Sequence, residues 1–154
     1  MRVQILLVTA GALLAAAPIA ASKPGGAANA RPAKLSPVLV RETFTPLPCS
    51  GKPGRRTTLQ QEGCAEHRIL SSDARINALS RAIFPVLPGD RARRRFNSAQ
   101  RAWLGYRRVD CLSMADPVAG GSEVAVVVAS CTADRNTARV KELKAFRDEL
   151  NRTG

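Results

Sequence analysis

The stretch Phe96-Asn-Ser-Ala-Gln-Arg-Ala-Trp-Leu-Gly-Tyr-Arg-Arg-Val-Asp-Cys111 holds the only Trp and the only Tyr of the chain and ends on one of its four cysteines. Read as a helix, it places Phe96, Ala99, Trp103, Tyr106 and Asp110 at i, i+3, i+7, i+10 and i+14, an aromatic stripe along one face. Gln100 and Arg107 border that stripe. Aromatic residues make up only 4% of the sequence, so the core is expected to form around this helix.

Helical signals extend to both sides of it. A first helix is expected to start at Thr57 or Thr58, where Thr58 and Gln61 have capping-box spacing. Ile69, Ile76, Leu79 and Ile83 carry its apolar face, Gly63 is a weak point within it, and Pro85 should stop it near Phe84. Pro88-Gly89 then turns the chain. Asp90 suits the N-cap of a second helix over roughly Arg91 to Leu112, and so short a link favours antiparallel neighbours. Met114 to Ser122 contains Asp116-Pro117 and Gly120-Gly121 and reads as a loop. Val124 to Val128 has strand-like β-branched residues. It nonetheless follows a capping Ser122 and leads into a helical stripe of Val140, Leu143 and Phe146, so helix is the reading chosen, with a cap or kink at Asn136 or Thr137. The expected fold class is all-α: three helices around one small core.

Upstream, Met1 to Ala21 reads as a secretory signal. Arg2 opens an apolar run that Pro18 breaks before small residues, with cleavage after Ala21 or as late as Ala30. A membrane anchor is the competing reading, but the run is short for a span and is interrupted by Gly11 and Pro18. Residues 22–48 read as a flexible leader rich in Pro, Ala, Gly and basic residues, with Val38-Leu39-Val40 a possible short strand. Residues 49–151 form the helical domain. Export makes the chain periplasmic or secreted, with no stable membrane span once the signal is removed. In such a compartment Cys49, Cys64, Cys111 and Cys131 suggest two disulfides. Three pairings are open; Cys49–Cys64 and Cys111–Cys131 are preferred because each closes a short local loop.

The net charge is +12, from 24 Lys+Arg against 12 Asp+Glu, which favours anionic partners. Arg94, Arg101 and Arg108 lie seven apart along one helix face. The plain reading is a solvated face; the functional one is a strip for an anionic envelope polymer or an acidic protein. Nucleic acid suits the charge, but export and the lack of an aromatic stacking platform argue against it. A polar set stands near the expected core: Asp73, Asn77, Gln100, Arg107, Arg139 and Glu142. If these face inward their charges must pair, and Arg107 is expected to meet Asp73 or Glu142. No enzyme is expected: His67 is the only His, no nucleophile has a base at motif spacing, and no phosphate loop precedes a helix. No cofactor is called for. The cysteine spacings contain no CxxC, so no metal site is expected either.

Taken together, these residues resemble the LprI-like lysozyme inhibitor family of small exported bacterial proteins. The pattern comprises Cys64; Asp73, Ile76 and Asn77; Ala99, Gln100 and Trp103; Tyr106, Arg107 and Cys111; Gly120, Gly121 and Ser122; Cys131; and Arg139, Glu142 and Leu143. Order and spacing agree over roughly Cys49 to Leu150. The chain departs from the family at Arg108, where an acid is usual, and at Asn136, where Thr is usual. The resemblance implies a compact, disulfide-tied helical domain in the envelope and a lysozyme or other wall hydrolase as partner. Animal lysozymes of the common type are basic and would be repelled by this chain at long range. Inhibition would then require a loop that fits the cleft and meets its two carboxylates. The Leu112–Ser122 loop, with Gly120, Gly121 and Ser122, is the candidate, with Arg107 or Arg108 at its base.

Overall fold

The computed structural model describes residues 34–153; the signal segment and residues 22–33 of the expected leader lie outside them. Three helices follow one another, α1 (Thr58–Val86), α2 (Gly89–Ser113) and α3 (Val124–Thr153), with a single 3-10 turn, Asp116–Val118, between the last two. No strand occurs among the described residues.

Local chemistry sets each helix end. Thr57 caps α1: its side chain accepts from the Gln60 amide while the Gln60 side chain accepts from the Thr57 amide, so the capping box sits one residue before the expected Thr58–Gln61 pair. Helix α1 also runs past Pro85 to Val86 instead of stopping at Phe84. Proline's fixed φ is helical, and it removes only one amide donor near the helix end. Arg93 then donates to the carbonyls of Phe84 (3.3 Å) and Pro85 (3.2 Å), satisfying groups that the ending helix exposes. Asp90 is not the N-cap of α2 but lies in its first turn, after Pro88 at the cap position, and no side chain bonds there.

Helix α3 is continuous across Val124–Val128 and through Asn136 and Thr137. Its β-branched start runs without a break into the part of the helix that packs on α1. Ala129 and Ala133 pack on Ala65 and Ile69, and this narrow seam lets the two backbones approach. The main core lies further along and combines Ile76, Ile83, Phe84, Leu87, Phe96 and Leu143. Ile76 and Ile83 are fully buried, each contributing on the order of 2 kcal/mol.

Residues 34–48, the described part of the stretch read as a flexible leader, are held against the helices as an extended strap. Asn77 of α1 brackets Val40: its Oδ1 accepts from the Val40 amide at 2.8 Å and its Nδ2 donates to the Val40 carbonyl at 2.9 Å. Asn97 of α2 does the same one step upstream, accepting from Val38 N and donating to Ser36 O, both at 2.9 Å. Glu66 accepts from the Leu47 amide at 2.6 Å. The strap then passes directly over Gly63, where a Cβ would stand 2.7 Å from the Leu47 carbonyl oxygen and 2.8 Å from that of Pro48. The glycine read as a weak point is thus the gap through which the strap reaches α1. The disulfides pair as Cys49–Cys64, fastening the strap to α1, and Cys111–Cys131, fastening α2 to α3.

Candidate functional site

The inward face of α2 is rotated from the one its aromatics suggested. Phe96, Asn97, Gln100, Arg107 and Cys111 are buried, while Tyr106 is 53% exposed and Ala99 is exposed. Trp103 is half-buried. The polar residues that seemed to border the stripe form its centre, because each finds a partner on another element.

Arg107, 7% exposed, lies at the junction of α1, α2, α3 and the strap. Its Nη1 donates to Asn136 Oδ1 at 2.7 Å and to Asp73 Oδ1 at 3.3 Å, and its Nη2 pairs with Glu42 of the strap. Asn136 Nδ2 donates in turn to Asp73 Oδ1 at 2.8 Å and to Ser72 Oγ at 3.1 Å. The expected Arg107–Asp73 bond is present; Glu142 instead pairs with Arg139 at 2.7 Å. Arg139 also donates to Gln100 Oε1 through Nε (3.0 Å) and Nη2 (2.6 Å), and Gln100 Nε2 donates to Ser80 Oγ at 2.9 Å. Trp103 joins the two arginines: its ring lies 5.2 Å from Arg107 Cζ and 5.5 Å from Arg139 Cζ, a double cation–π contact. Asn77 is outside this network and serves the strap.

The network leaves one carboxylate oxygen unbonded. Asp73 Oδ2 is buried with no hydrogen-bond partner among the described residues. Burial, first, pushes the Asp73 carboxyl up to about 6; Arg107 opposes the shift and the nearby Glu42 adds to it. Sequence reading missed Asn136 as a core residue, although its spacing from Val140 and Leu143 marks the buried face of α3. Glu42 carried no signal, since the strap has no period.

Three features lie outside this network. Arg94, Arg101 and Arg108 are exposed, and none has an ion-pair partner among the described residues. The expected Leu112–Ser122 loop is largely exposed, although Leu112 and Ser113 still belong to the last turn of α2; Ala115 is its buried anchor, and Gly120 takes the left-handed φ of 81° that its turn requires. Gly121 and Ser122 are exposed beside it. Cys111–Cys131 closes this loop at its base. Finally, a groove of about 550 Å³ opens between strap and helices. Its floor includes Phe44, Ile69, Leu104 and Val128; Glu42, Glu62 and Glu66 line it, as do Arg107, Arg108 and Leu112.

His67 is exposed on α1. Asp110, Cys111 and Cys131 bring a carboxylate and two sulfurs within 4.8 Å of one another. Both sulfurs are joined in the disulfide, and Arg135 Nε donates to Asp110 Oδ2 at 2.7 Å. Among the described residues no helix is long and apolar enough to cross a membrane.

A family model described as "Lysozyme inhibitor LprI" matches residues 49–143. The matched span runs from the first disulfide cysteine to the last large core residue of α3. No curated protein and no solved structure matches the chain.

Proposed function

The chain belongs to the LprI family of lysozyme inhibitors, and from that premise we propose that it is exported and inhibits a lysozyme or a related cell-wall hydrolase by binding. The observation that carries the reading is the exposed Leu112–Ser122 loop, closed by Cys111–Cys131 and flanked by the guanidinium of Arg108, which is exposed and has no ion-pair partner among the described residues. Glycosidase clefts present a pair of carboxylates. A loop that is already constrained loses little conformational freedom on entering such a cleft, and an arginine suits bidentate contact with carboxylates. Arg107 is not available for this role, since Asp73, Asn136 and Glu42 hold it in the core. Arg108 is therefore the base assigned to the partner, with Gly120, Gly121 and Ser122 letting the loop lie close to it.

The test titrates the disulfide-intact chain into lysozymes of different type and charge and measures lysis of cell-wall substrate. Inhibition of at least one is expected, surviving physiological salt and weakened about tenfold by Arg108→Glu, the size of a lost charge-assisted contact. Absence of inhibition across the panel would remove the reading.

A second reading rests on Arg94, Arg101 and Arg108, which are exposed along one side of α2 and have no ion-pair partner among the described residues. In this reading the strip binds an anionic envelope polymer. Such binding collapses with added salt, whereas cleft insertion persists.

A further inference from the structure

The groove between the strap and the helices has a chemistry opposite to that of the chain as a whole. Its lining carries three carboxylates, Glu42, Glu62 and Glu66, against two guanidiniums, Arg107 and Arg108, in a chain of net charge +12. Arg107 and Glu42 are paired with each other, which leaves Glu62 and Glu66 against Arg108 in the lining. Glu66 is partly engaged with the Leu47 amide. Glu62, half-buried at the groove, has no hydrogen-bond or ion-pair partner among the described residues. The floor beneath these acids is apolar, and about 550 Å³ is room for one or two large side chains. Apolar walls concentrate the field of the charges that line them.

We propose that this groove receives a segment of a protein partner in which a Lys or Arg stands beside a bulky apolar side chain. The apolar group fills the floor over Ile69, Leu104 and Val128, and the cation meets Glu62. The inference deepens the inhibitory reading, on which it rests for the partner's identity, because Arg108 and Leu112 belong both to the groove and to the base of the exposed loop. It also accounts for how a strongly basic chain engages a basic partner: long-range repulsion is screened beyond roughly 8 Å at physiological salt, and at contact the partner's cation meets carboxylates.

The test uses two short peptides of equal apolar content, one with a central Arg-Trp and one with a central Glu-Trp, titrated into the ¹⁵N-labelled, disulfide-intact chain. The Arg-Trp peptide should shift the amides of Glu62, Leu104 and Val128 and bind at least about fivefold tighter than its acidic counterpart. Glu62→Gln should reduce its affinity about fivefold. Ala125→Trp, placed at an exposed position of the lining, should fill the groove and abolish binding while helical circular dichroism is unchanged. Equal or tighter binding of the acidic peptide, shifts confined to another surface, or no binding of either peptide would each overturn the proposal. Lysozyme inhibition measured on the same samples separates the two ideas. If Ala125→Trp loses the peptide but still inhibits, the groove is not the partner's site and the inhibitory reading stands. If the Arg-Trp peptide binds as expected and no lysozyme is inhibited, the groove proposal stands and the inhibitory reading falls.

Discussion

Removing the guanidinium of Arg107 leaves the buried Asp73 carboxylate without its cation and unpairs the more exposed Glu42. Arg107→Met is therefore expected to destabilise the chain by about 3–5 kcal/mol in urea unfolding, the range for breaking a buried pair from one side; a variant as stable as the parent would refute the network's role. Asp73 gives a second, pH-dependent test. Its carboxyl sits at about 6 in the folded chain against an ordinary value of 3.8, so the folded state binds the proton more tightly. Stability from this group is greatest below about pH 4 and is lost as pH rises through 6, opposite in sign to a salt-bridged carboxylate of low pKa. Between pH 7 and pH 5 the parent should gain on the order of 1 kcal/mol from it, and Asp73→Asn should lose that increment. Gly63→Ala places a methyl 2.7 Å from the Leu47 carbonyl oxygen. It should cost about 1–3 kcal/mol, the penalty for overpacking a tight site, and should speed hydrogen exchange at Leu47, whereas alanine at an open helical glycine would stabilise.

At the level of elements, sequence and structure agree wherever a period exists. Ile69, Ile76 and Ile83 announce α1, and the Val140–Leu143 spacing announces the buried side of α3. The ends shift by a residue or two because partners from elsewhere decide them, as Arg93 does for the carbonyls around Pro85. The face of α2 was harder to read. Large apolar groups ordinarily mark the inside, yet Gln100 and Arg107 are more buried than Tyr106, because hydrogen-bond partners on α1 and α3 meet them. The strap was not legible as a docked element, since it has no repeat of its own and is held by side-chain amides 37 to 61 positions away. Asn77→Ala removes both bonds to Val40 and leaves a buried amide and carbonyl unmet. The expected loss is about 2 kcal/mol, with faster exchange at the Val40 amide and little change in helix content.

For the molecule as a whole, the two disulfides act on different unions, strap to α1 and α2 to α3. Reduction should lower stability by roughly 3 kcal/mol per bridge on the chain-entropy estimate. If the chain inhibits a lysozyme as proposed, loss of Cys111–Cys131, which closes the loop, should impair that inhibition more than loss of Cys49–Cys64; single Cys-to-Ser pairs assayed for both properties separate these effects. Charge and cysteine spacing made the basic character and the preferred pairing readable in advance, whereas the acidic groove was not, because its carboxylates come from positions 42, 62 and 66 on two elements brought together only by folding. The strap has a mechanical consequence too. Tension applied at its upstream end would load the Asn97 bracket first, then the Asn77 bracket, the Arg107–Glu42 pair and the Leu47–Glu66 bond, releasing them in order like stitches. At Cys49 the peeling would stop, because the next link is a covalent bond into α1, so the helices would stay assembled under a pull that strips everything before it.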